Sequence, residues 1–111
     1  MVDFKYNEGA LLDELRAYVE KTYTQHYVGK DNVQSLDLIF SAGHGEGFTV
    51  GNVLKYGARY GKKGGKNRDD LLKILHYALL LLYVHDEAQK NIVYGPAGGV
   101  GFFVPHSGSM A

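Results

Sequence analysis

Apolar residues recur at three- and four-residue intervals along most of the chain up to Asp86, the spacing that lines up side chains on one face of a helix. Over about Gly9–Tyr23, Leu11, Leu12, Leu15, Tyr18, Val19 and Thr22 keep this interval, while Asp13, Glu14, Arg16, Glu20 and Lys21 fill the other face. The pattern predicts an amphipathic helix. Thr24–Asn32 is polar and turn-rich and predicts a loop. Leu36, Ile39 and Phe40 then mark a short helix within Val33–Ala42, with Asn32 or Ser35 as its cap. Next comes Gly43-His44-Gly45-Glu46-Gly47, and alternating glycines predict a break, because each costs a helix interior about 0.5–1 kcal/mol relative to alanine.

Phe48–Tyr60 predicts a second long helix. Val50, Val53, Leu54, Gly57 and Ala58 form its apolar stripe, and the small later members predict close approach of a neighbouring helix. Asn52, Lys55 and Arg59 make a separate polar stripe with Tyr56 beside it. After the turn Gly61–Lys66, Asn67 is a good cap, and Asp69 and Asp70 follow where the helix dipole favours acids. The helix they open runs to about Asp86. Leu71, Leu75, Ala78 and Leu82 mark one face, and Leu72, Ile74, Leu79 and Leu81 extend the apolar surface around most of the cylinder. Such a helix predicts burial on most sides, as a central helix or in an oligomer contact. The short turn makes the two long helices antiparallel neighbours. Beyond them, Ile92–Tyr94 and Val100–Val104 flank a glycine-rich stretch and predict a short β-hairpin or an arm lying on a partner subunit. The expected fold is therefore mainly all-α. A compact helical domain (1–90) is built around an antiparallel hairpin, and a glycine-rich C-terminal arm (91–111) follows.

Composition narrows the function classes. A chain of 111 residues fits one domain, and twelve basic residues balance twelve acidic ones. Zero net charge argues against a general nucleic-acid coat, which must displace counterions, but leaves room for a local basic patch. Without cysteine there is no disulfide framework and no thiolate metal site. The start lacks the basic and apolar segments of a secretion signal, and the longest apolar run, Ala78 to Val84, is far short of the roughly 20 residues that span a bilayer. A cytoplasmic protein without membrane attachment is expected. Nine tyrosines, with no tryptophan, supply flat rings with polar tips.

The strongest local signal is Gly61-Lys62-Lys63-Gly64-Gly65-Lys66. Glycines let backbone amides turn toward one anion, lysines supply charge, and the following helix N-terminus adds its dipole. Lys55 and Arg59, one and two turns earlier, would lie on the same side. The competing reading is an ordinary solvated turn, reversed by glycine and kept soluble by lysine. The segment is not a Walker loop, because it lacks that spacing and joins helix to helix. His44 and Glu46 invite a metal or acid–base reading, but two such groups alone are a weak signal and an incidental turn is favoured. His76 fits a satisfied core histidine, and no serine–histidine–acid set can be argued from spacing.

Together the residues resemble a family of small bacteriophage proteins, most of unknown function. The family pattern is a His-Tyr pair, then Gly-Asn-x-x-Lys-Tyr-x-x-Arg, a Gly/Lys turn and Asp-Leu-x-Lys leading to a Tyr. It is met here by His26-Tyr27, Gly51-Asn52-Val53-Leu54-Lys55-Tyr56 with Arg59, the turn, and Asp70-Leu71-Leu72-Lys73 with Tyr77. The resemblance spans about residues 25–83, and one branch of the family holds the podovirus-type phage nucleotide kinase, which phosphorylates deoxynucleoside monophosphates without a Walker loop. It implies a phage-encoded nucleotide- or phosphate-binding protein in the cytoplasm of an infected cell, with nucleoside monophosphate kinase activity as one reading. Lys55, Arg59, Lys62, Lys63 and Lys66 would hold phosphates. His26, Tyr27, Asn52 and Tyr56 would orient or stack on a base, and Asp70 would touch Mg2+ if a phosphoryl group is transferred. Two other classes stay open: a non-catalytic sponge or inhibitor that captures a host nucleotide signal or blocks a host defence protein, and a structural homo-oligomer.

Overall fold

A computed structural model of the chain describes residues 2–26, 30–90, 92–94 and 100–103, with side chains placed over 2–24 and 35–90. Four helices follow one another: α1 (Glu8–His26), α2 (Lys30–Ser41), α3 (Gly45–Arg59) and α4 (Arg68–Gln89). Strands β1 (Ile92–Tyr94) and β2 (Val100–Phe103) then pair antiparallel, with Ile92 opposite Phe103 and Val93 opposite Phe102. Tyr94 pairs with Val100, so Gly101 is the extra residue of a bulge. The protein is mainly all-α, as the periodicity predicts. It divides into two compact units, Met1–Leu36 and Asp37–Ala111, and the second holds α3, α4 and the strand pair. Among the described residues no helix is long and apolar enough to cross a membrane.

The expected loop at Thr24–Asn32 is shorter than its composition suggests. α1 continues to His26 and α2 starts at Lys30, so Asn32 and Ser35 lie inside a helix rather than capping it. In α1 the threonine hydroxyls bond within the helix, Thr22 to the Val19 carbonyl at 2.7 Å and Thr24 to that of Lys21 at 2.9 Å. Hydroxyls spent this way no longer compete with the helical backbone. α2 closes with Gly43 at φ +89°, where the His44 amide reaches the Ile39 carbonyl and the Gly43 amide that of Phe40. This pair of bonds ends a helix and reverses the chain.

The glycine-rich break is also shorter than expected, because Gly45 and Gly47 form the first turn of α3. First-turn amides lack helical partners in any case, so glycine is tolerated there. Gly45 has a packing reason as well. A Cβ there would lie 3.0 Å from Val84 Cγ2 and 3.1 Å from Phe40 Cδ1. Close approach thus occurs at Gly45 and not at Gly57, where an added Cβ meets nothing within 4 Å. The apolar stripe of α3 points away from α4: Val50, Leu54, Gly57 and Ala58 are exposed. α4 likewise leaves Leu71, Leu75, Ala78, Leu79 and Leu82 exposed within the chain, against the expected burial on most sides.

What packs between α3 and α4 is polar and aromatic. Thr49 is fully buried, its hydroxyl donating to the Gly45 carbonyl at 2.8 Å. Phe48 meets Tyr77 edge-on with ring centroids 5.9 Å apart, and Tyr56 stacks on Tyr77 at 6.0 Å. His76 is buried, and desolvation holds its imidazole below the ordinary value.

Candidate functional site

The turn end of the α3–α4 hairpin concentrates charge. Residues 55–73 hold seven basic residues against two acidic ones, a local excess of five positive charges in a chain with none overall. The turn is shaped by its own backbone. Gly61, Gly64 and Gly65 take φ of +84°, +76° and +75°, values that side chains disfavour. The Gly61 amide donates to the Gly65 carbonyl at 3.0 Å, and the Lys62 and Lys63 amides to that of Arg59 at 2.9 and 3.3 Å. Asn67 caps α4, its side chain accepting from the Asp69 amide at 2.9 Å. These amides are engaged, so the expected cradle of backbone donors is not formed by them. Beside them, Lys62, Lys63 and Lys66 are all exposed.

One turn below, three cations gather at Tyr56. Lys55 Nζ lies 5.0 Å from the ring centroid, Arg59 Cζ 5.8 Å and Lys73 Nζ 5.8 Å. Since Tyr56 also stacks on Tyr77, the ring organises positive charge more than it offers a bare surface to a base. Lys73 lies outside the set of site candidates that the sequence pattern offers. It belongs here because the antiparallel register sets the start of α4 against the end of α3. Its ammonium also bonds Asp69 at 3.1 Å.

Arg59 and Asp70 join the two helices, with Nε 3.6 Å from Oδ1. Asp70 is only 2% exposed. Both Arg59 Nε and Asp70 Oδ2 are buried without a hydrogen-bond partner, so the pair is an ion contact that is not closed by hydrogen bonds. Asn52 turns its amide to the Phe48 carbonyl at 2.8 Å. His26 is described by its backbone alone, as the last residue of α1, and Tyr27 lies outside the described residues. Lys55, Tyr56, Arg59 and Asp70 are thus brought together, with Lys62, Lys63 and Lys66 on the adjoining turn.

At the other end of the hairpin lies a cavity of about 470 Å³, rimmed by Asp37, Glu46 and Glu87 over the stacked rings of Phe40 and Tyr83. Its acidic rim has the wrong sign for phosphate. His44 is exposed beside it, and among the described residues no three His, Asp or Glu side chains are grouped to hold a metal.

No curated protein and no solved structure matches the chain. A family profile described as a protein of unknown function, DUF3310, matches residues 21–79, from late α1 through the turn to the middle of α4. That span is just over half of the 111 residues and contains the Tyr56 cluster, the lysine turn and Asp70, so the chain belongs to the DUF3310 family.

Proposed function

We propose that the protein binds a phosphate-bearing small molecule, a nucleotide in particular, at the turn end of the α3–α4 hairpin. The observation that carries this reading is the convergence of Lys55, Arg59 and Lys73 on Tyr56, beside the exposed Lys62, Lys63 and Lys66. A phosphate group answers such a cluster, because its oxygens accept several charge-assisted hydrogen bonds at once. The resemblance of the sequence pattern to that of the phage nucleotide kinase branch supports a nucleoside monophosphate as the ligand. On that reading, transfer would move the terminal phosphoryl group of ATP to a phosphate oxygen of the monophosphate, giving ADP and a nucleoside diphosphate. Mg2+ binds through one or two carboxylates plus phosphates. Asp70 would serve as one such carboxylate only if its Oδ2, buried against α3, were uncovered on binding. The ion would neutralise charge on the phosphates.

Calorimetric titration of mono- and diphosphate nucleotides tests binding, and chromatography after incubation with ATP and Mg2+ tests transfer. Each charge-assisted bond to phosphate contributes on the order of 1.5–3 kcal/mol, so Lys55→Ala should weaken binding about ten- to a hundredfold. Lys55 is exposed on α3, so its loss should leave stability nearly unchanged. Arg59→Lys should also weaken binding, since lysine lacks the planar fork. Binding with no phosphorylated product would favour capture of a nucleotide over catalysis. A wild-type protein that binds no nucleotide below millimolar concentration sinks the proposal.

A further inference from the structure

The hairpin has two unlike sides. Successive helical residues turn by about 100°, and α3 and α4 run antiparallel with Arg59 level with Asp70 and Gly45 level with Val84. This register puts Val50, Leu54 and Gly57 of α3 on the same side as Leu71, Leu75, Ala78 and Leu82 of α4. Lys55, Arg59 and Lys73 lie toward the other side, around Tyr56. The apolar side is open, with Leu54 66%, Leu75 47% and Leu82 59% exposed. Gly57 lies beside them, and a Cβ there would meet nothing within 4 Å.

We infer that a second copy of this chain docks on this side, α4 against α4 in antiparallel register about a two-fold axis. Three observations select that occupant. The α4 seam follows the alternating four- and three-residue steps of a coiled-coil contact. The seam is symmetric about its own midpoint, so reversal sets Leu71 opposite Leu82 of the other copy and Leu75 opposite Ala78, a large residue facing a small one. Charge agrees as well. The rotation brings Arg68 at the start of α4 to about the level of Asp86 near the end of the other copy's α4, on the flank of the seam, twice per dimer. Such self-complementarity is what a two-fold interface requires. The Tyr56 cluster stays outside the contact, so the dimer does not depend on the phosphate reading.

Sedimentation equilibrium at micromolar concentration should give twice the 12.3 kDa chain mass. Leu75→Glu should weaken association at least about a hundredfold, because it buries an unpaired charge on each side of the axis. Ala78→Glu guards against misfolding as the cause. Ala78 is exposed within the chain and glutamate is a good helix former, yet the change should block the dimer equally while helicity is kept. The register is read by disulfide trapping, since the chain has no cysteine of its own. Mixed Leu71→Cys and Leu82→Cys proteins should cross-link to each other. Leu71→Cys alone should not, because the two copies of that position would lie about 16 Å apart, beyond a disulfide's reach. A monomeric wild type, a dimer indifferent to both glutamates, or cross-linking only of like positions overturns the inference.

Discussion

Arg59→Met removes the guanidinium that faces Asp70 and keeps most of the side chain's apolar stem. Two unit charges 3.6 Å apart attract by about 1 kcal/mol at the dielectric constant of water and by about 4.6 kcal/mol at an effective value of 20. The pair sits between these limits, because the Asp70 side chain is 3% exposed and that of Arg59 37%. Their coupling should therefore be about 2 kcal/mol in a double-mutant cycle with Asp70→Asn. The two single changes should differ. Without Arg59, Asp70 is a sealed carboxylate with neither water nor counter-charge, which costs about 3–5 kcal/mol. Without Asp70, Arg59 still reaches solvent, and the loss should be about 1–2 kcal/mol. Urea unfolding followed by far-ultraviolet circular dichroism measures all four proteins, with any dimer accounted for by repeating the series at two concentrations. If Asp70→Asn proves the costlier change, or the coupling is near zero, the contact does not organise the turn end.

Gly45→Ala should destabilise by about 1–3 kcal/mol, since its Cβ is forced against Val84 and Phe40, whereas Gly57→Ala, with open space around it, should stabilise by about 0.5–1 kcal/mol; equal effects in thermal melts would contradict the packing at Gly45. Burial lowers the His76 pKa from its ordinary 6.5, so below pH 6.5 the unfolded chain takes up a proton that the folded chain resists. Stability should then fall on acidification from that point down to the lowered folded value, and His76→Gln should flatten the slope of the urea midpoint against pH; a wild type that gains stability over that interval would reverse the assignment.

The hairpin was legible because three signals agree along Phe48–Asp86: helical period, a turn too short for anything but reversal, and Asn67 followed by two aspartates. Which side of the hairpin faces inward was not legible. Reading apolar residues as inward put Val50, Leu54, Gly57 and Ala58 against a neighbour, while the contact with α4 is made by Gly45, Phe48, Tyr56 and Arg59. Hydropathy does not register that a threonine can seal its hydroxyl on its own helix, or that an arginine can meet a buried carboxylate. The cationic cluster was partly legible, since Lys55, Tyr56 and Arg59 share a helix. Lys73 needs the register between helices, which no single segment contains. Nor does composition tell whether loop amides point outward or close the loop on itself.

The closed backbone of the lysine turn separates two jobs that loops often combine. Its shape is set by glycines at positive φ, bonds among main-chain atoms and the Asn67 cap, while the side chains of Lys62, Lys63 and Lys66 project into solvent. Those three positions can therefore change charge or length at little cost to folding, while the glycines cannot change without strain. A turn of this kind is free to diversify in what it recognises, generation after generation, on a hairpin that stays the same.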